Sequence, residues 1–168
     1  MKDKTRRLWG CALAITALLT QPVGAASLTT TIPISVVAQS GCSITGTGVD
    51  FGTYSGGVVS STGSLSVNCT QNTPYHVTLD KGLNLTQGIR AMTISTAVDK
   101  LGYQLYKDAA LTLQWGDSDY AGTFVQGSSV AGTGTGSAQT LTIYGRMFSQ
   151  GTVVAGPYSD TVTVTVIF

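Results

Sequence analysis

A two-residue rhythm of apolar and small polar side chains runs through most of this chain, and it constrains the fold more than any other feature. In GSLSVNCT (63–70) the apolar positions are Leu65, Val67 and Cys69. In YHVTLD (75–80) they are Tyr75, Val77 and Leu79, with Pro74 in front and Lys81-Gly82 behind. Leu101, Tyr103 and Leu105 alternate in LGYQLYKD (101–108), and Leu141 and Ile143 in QTLTIYGRM (139–147). Val162, Val164, Val166 and Phe168 do so in YSDTVTVTVIF (158–168). Successive strand side chains point to opposite faces, so each run predicts a strand with one buried face. LTLQW (111–115) follows the 101–108 run at once, which predicts a hairpin through 107–110. RAMTIS (90–95) is a weaker strand, and the second half of 122–137 reads as loop. Short strands about ten residues apart, punctuated by turn residues, predict an antiparallel β-sandwich. Glu is absent and Gly, Ser and Thr are abundant, which suits strands and turns better than helices.

The same rhythm appears upstream of these runs. In SLTTTIPISVVAQSGC (27–42), Leu28, Ile32, Ile34 and Val36 share one parity with Thr30 between them; Thr29, Thr31, Pro33 and Ser35 take the other. On pattern alone this is the first strand of the chain's own sandwich. The last alternating run continues to residue 168 with no polar tail. An apolar strand with an uncovered edge invites pairing with another chain.

Residues 1–26 read as a secretory signal peptide. Lys2, Lys4, Arg6 and Arg7 precede an apolar run, LWGCALAITALL, and small residues follow in VGAAS, which places cleavage after Ala25 or Ala26. The run covers only 8–19, short of the roughly 20 residues that cross a bilayer. Without this segment the chain keeps five basic and seven acidic groups, a net charge of −2. It has no basic patch, which argues against nucleic acid as a partner. Cys42 and Cys69 remain, and both lie in phase with apolar neighbours. An even pair in an exported chain reads as one disulfide, the other reading being two buried free thiols. Closing a loop of about 27 residues contributes roughly 3.5 kcal/mol.

Catalytic parts are missing from the pattern. A hydrolytic triad needs a nucleophile, a base and an orienting group. The single histidine, His76, has the outward parity of its strand. Seven Asp residues remain, and no pair is marked for glycoside chemistry. DSD (117–119) lacks the Gly and closing Glu of an EF-hand, so it reads as a turn. GTGTGS (132–137) opens no helix and carries no Lys, so it reads as a loop and not a phosphate cradle. The expectation is no catalytic residue, no cofactor and no metal.

The chain resembles the spore coat protein U family, which includes the pilins of archaic (Csu-type) chaperone–usher pili. The motifs that carry the resemblance are GCSI (41–44), DFGTY (50–54), LSVNCT (65–70), TPYHVTLDKG (73–82), RAM (90–92), LGYQLYKDA (101–109), QWGD (114–117), LTIYGRM (141–147) and GPYSDTVTVTV (156–166). The segment 118–137 matches none of them. The resemblance implies an all-β, incomplete immunoglobulin-like antiparallel sandwich (a pilin fold), residues 41–168, preceded by a donor-strand segment, 27–40. In such a subunit a periplasmic chaperone first lends the missing strand, and at the outer-membrane usher the next subunit's N-terminal segment replaces it. Leu28, Thr30, Ile32, Ile34 and Val36 would be the donor positions. Val162, Val164, Val166 and Phe168 would border the acceptor groove. Burying four apolar donor side chains would contribute about 6–12 kcal/mol. Ladder hydrogen bonds add to this, and ordering a free tail subtracts from it. The implied function is a structural subunit of a surface pilus, exported through the periplasm, that polymerises with neighbouring pilins and supports adhesion and biofilm formation. The alternative is a secreted coat or matrix protein of the same fold.

Overall fold

The computed structural model describes residues 32–168 apart from Ala97 and Val125. They belong to two units, Met1–Val37 and Ala38–Phe168. Residues 1–26, expected to be a signal peptide, and Leu28 and Thr30, expected to be donor positions, lie outside the described residues.

Nine strands build the second unit: β1 Cys42–Thr47, β2 Val59–Cys69, β3 Pro74–Leu79, β4 Leu85–Thr86, β5 Ile89–Thr93, β6 Lys100–Tyr106, β7 Val130–Thr133, β8 Gln139–Met147 and β9 Val164–Ile167. One sheet has six strands in the order β1-β2-β8-β6-β5-β4, and the other three in the order β7-β3-β9. Every ladder between them is antiparallel. A single 3₁₀ turn, Ser118–Tyr120, is the only helical element among the described residues.

The alternation read from the sequence builds the core. Leu65, Val67, Cys69, Tyr75, Val77, Leu79, Leu101, Tyr103, Leu105 and Ile143 are all buried, joined by Trp115 and Met147. Trp115 belongs to both layers, because its indole N–H donates to Val77 O at 2.9 Å. Gly145 on β8 lets the coil after β1 lie close: a Cβ there would stand 2.7 Å from Val49 Cγ1 and 2.9 Å from Phe51 Cζ.

Four expectations need correction. Residues 32–40 form no strand and are exposed, so they are not the first strand of the chain's own sandwich. The terminal run is laddered only over Val164–Ile167, with Val162 ahead of β9 and Phe168 beyond it. The second half of 122–137 is not all loop, because β7 pairs with β3 from Pro74↔Thr133 to Val77↔Val130. A four-residue VAGT strand with a central Gly carries almost no periodic signal. The return through 111–115 does fold back, Lys107 N to Leu113 O at 2.9 Å and Trp115 N to Leu105 O at 2.8 Å, but without a regular strand.

Cys42 and Cys69 face each other across β1 and β2 and are joined by a disulfide. It anchors the free edge of the large sheet. Replacing both by Ser is expected to lower the unfolding free energy by about 3 kcal/mol, measured by urea titration with and without reductant. A loss confined to the reduced wild type would contradict this.

Candidate interaction groove

Each sheet ends in a strand with a neighbour on one side only. β1 is one end of the six-stranded sheet, opposite β4, and β9 is one end of the three-stranded sheet, opposite β7. Between them lies a cavity of about 550 Å³. One wall is the run from Ile44 to Val49, and the other is Val162 and Val164. Leu65, Leu79, Met92, Leu105 and Ile143 form an apolar floor with Phe51 and Tyr103. The Phe51 and Tyr103 rings lie 6.0 Å apart, tilted by 57°. The groove therefore combines two free backbone edges with an apolar bed, the two things an added strand needs: ladder partners and pockets for alternate side chains.

The sequence-derived residues distribute as follows. Val162 and Val164 line the groove. Val166 is half-buried against the core, on the same parity, outside the lining. Phe168 is 58% exposed and does not line it. Ile32, Ile34 and Val36 are 81, 97 and 93% exposed, an unusual state for β-branched side chains in series.

A polar network, unread in the sequence, holds the base of the sandwich, and its members Tyr103 and Asp160 line the groove. Arg90 on β5 is fully buried and donates to Leu79 O (3.0 Å), Trp115 O (3.0 Å) and Asp80 O (2.6 Å). Its guanidinium lies 3.9 Å from the centre of the Phe124 ring. Burial pulls its pKa down to about 10, opposed by Tyr103 and by Asp80, Asp117 and Asp160, so it stays charged at neutral pH. Nearby, Tyr103 donates its hydroxyl to Asp160 Oδ2 at 2.7 Å. Burial, then the bond to Asp160, pushes the phenol far above its ordinary range, so it remains a donor. An isolated Arg in RAM gives no sequence sign that it is a core residue; only its three carbonyl acceptors reveal it. Arg90→Met should leave those carbonyls unpaired and cost about 3 kcal/mol or more of stability, read by urea denaturation. A loss below about 1 kcal/mol, the net worth of one ordinary hydrogen bond, would contradict the network's role.

His76 is half-buried, with Nδ1 3.1 Å from Ser129 Oγ and its ring 5.0 Å from that of Tyr120. The Ser129 hydroxyl donates to Asp119 Oδ2 at 2.6 Å. The acid thus binds the hydroxyl and not the imidazole, an order that orients no base toward a nucleophile. Asp117 likewise serves its loop, accepting from the Thr123 and Phe124 amides at 2.8 and 2.6 Å. Among the described residues no three potential ligands cluster for a metal.

An antiparallel sandwich with a lengthwise apolar gap between two edge strands is an incomplete sandwich of the pilin type. Residues 28–165 match the model of the Spore Coat Protein U domain, and the chain belongs to that family. It is 32% identical over 165 residues to "Protein U" of Myxococcus xanthus, covering 88% of each chain. Its fold is similar to a chain in the crystal structure of the CsuC–CsuE chaperone–tip adhesion subunit pre-assembly complex from the archaic chaperone-usher Csu pili of Acinetobacter baumannii, with TM-score 0.59 and 26% identity. That match covers 77% of this chain and 40% of the solved one, so this chain spans less than half the length of its structural relative.

Proposed function

We propose that this protein is a structural subunit of a surface pilus, built by donor-strand exchange. The observation that carries the reading is the groove: two unpaired edges flanking an apolar bed, in a chain whose exposed tail offers apolar side chains at every second position. Residues 27–40 act as the donor segment, with Leu28, Thr30, Ile32, Ile34 and Val36 directed into the groove of the next copy. Val162 and Val164 form the acceptor wall, and Val166 and Phe168 extend its edge. A periplasmic chaperone covers the groove before assembly, and an outer-membrane usher exchanges it for the donor. Residues 1–26 direct export, and the finished fibre supports adhesion and biofilm formation. The work is structural, not catalytic.

The test is the state of the protein purified from the cell surface. Filaments that resist detergent until heated are expected; a folded monomer with no polymer would overturn the reading. The family name also favours a coat or matrix subunit using the same groove. Electron microscopy separates the two, since a coat gives sheets or amorphous layers and a pilus gives single fibres.

A further inference from the structure

The chain changes sheets at one end of the groove. Ser159 pairs with Thr93 of β5 in the six-stranded sheet through two backbone hydrogen bonds of 3.0 Å. Four residues later Thr163 is bound to the other sheet: its carbonyl accepts from Asp80 N at 3.1 Å, and its amide donates to Asp80 Oδ1 at 2.9 Å. Asp160 sits inside this crossing. Its Oδ2 accepts from Tyr103 on β6. Its Oδ1 accepts from Leu83 N at 3.1 Å and Asn84 Nδ2 at 3.3 Å, both in the connection that leaves β3. Gly82, at φ 74°, turns this connection close under the carboxylate, where a Cβ would overlap Asp160. Tyr103 is 5% exposed, and both it and Asp160 line the groove.

Apolar walls that face each other across a partly empty groove are drawn together by the area their closure would remove from water. Something in the empty subunit must resist this where the two sheets meet. We propose that the Tyr103–Asp160 hydrogen bond is an inter-sheet strut, which fixes the crossing 159–163 and holds the groove at the width an incoming strand requires. Asp160 and Tyr103 are positioning residues: they act through the placement of the acceptor wall. Once a strand is seated, its own side chains keep the sheets apart, so the strut matters for entry and not for retention. The proposal rests on the reading of the groove as a strand acceptor.

The experiment uses the full chain at sub-micromolar concentration and a fluorescent peptide of the sequence 27–38, followed by anisotropy. Tyr103→Phe removes only the hydroxyl. Its open, competent fraction should fall, so association slows about tenfold, the worth of one such hydrogen bond, while the release rate stays within about twofold. A merely structural role would instead speed release and lower the melting temperature of the peptide-bound form. Wild-type uptake with an unchanged association rate in Tyr103→Phe overturns the strut alone. No uptake by the wild type overturns the strand-acceptor reading and the strut with it. Asp160→Ala, which removes the acceptor of the Tyr103 hydroxyl together with those of Leu83 N and Asn84 Nδ2, serves as the second variant and should slow association at least as much.

Discussion

A chain lacking residues 27–38 should fold and bind chaperone but fail to enter a polymer. The described tail is exposed and makes no strand, and Ala38–Phe168 form their own unit. Loss of 27–38 should therefore leave the melting temperature of the free subunit within a few degrees. Assembly is another matter. The four apolar donor side chains represent about 6–12 kcal/mol of burial, against an association that must order a free segment. Without them no segment of comparable periodicity remains free near the N-terminus. Mixed with wild-type subunits, the deleted chain should accept a strand but donate none, and so terminate fibres. Fibre length by electron microscopy should shorten as its share increases. Fibres of normal length built from the deleted chain alone would show that the donor lies elsewhere.

Val164→Asp should separate folding from strand acceptance in the opposite way. In the free subunit Val164 stands half-buried in the wall of an open groove, paired with Leu79 across β3 and β9. A carboxylate there can stay hydrated, so the monomer should lose only about 1–2 kcal/mol of stability. A seated strand would strip that water and leave the charge unpaired beside an apolar bed, at a cost of several kcal/mol. Affinity for the 27–38 peptide should fall by about a hundredfold or more, since each 1.4 kcal/mol is a factor of ten. Thr165→Asp is the control, since Thr165 is exposed and points to the other face of β9. Equal losses in the two variants would remove Val164 from the binding surface.

The sequence made the sandwich legible where apolar and polar side chains alternate strictly. Leu65, Val67 and Cys69 on β2 and Tyr75, Val77 and Leu79 on β3 alternate cleanly, and all are buried. β6 shows the limit of that reading. Gln104 and Tyr106 have the outward parity yet are buried, because the return from 107 to 129 lies over them. Gln104 Nε2 donates to Gln126 Oε1 at 3.1 Å, and Tyr106 bridges to Gln114. A covering loop leaves no periodic trace in the strand it covers. One groove wall could be anticipated, since Val162 and Val164 lie in a regular alternation; the Ile44–Val49 wall could not, because after Ile44 the run TGTG carries no apolar position. The floor could not, because Met92, Phe51 and Tyr103 come together from three separate segments. YSD (158–160) reads as the start of a strand, whereas Ser159 and Thr163 belong to different sheets. A change of sheet depends on long-range pairing, which local pattern does not encode.

The most direct test is a density map of the assembled material at side-chain resolution. The account predicts residues 28–36 of one subunit lying as a strand between β1 and β9 of its neighbour, with Ile32, Ile34 and Val36 over Leu65, Leu79 and Leu105. A groove filled by the subunit's own tail, or left empty while subunits touch through other faces, would contradict it.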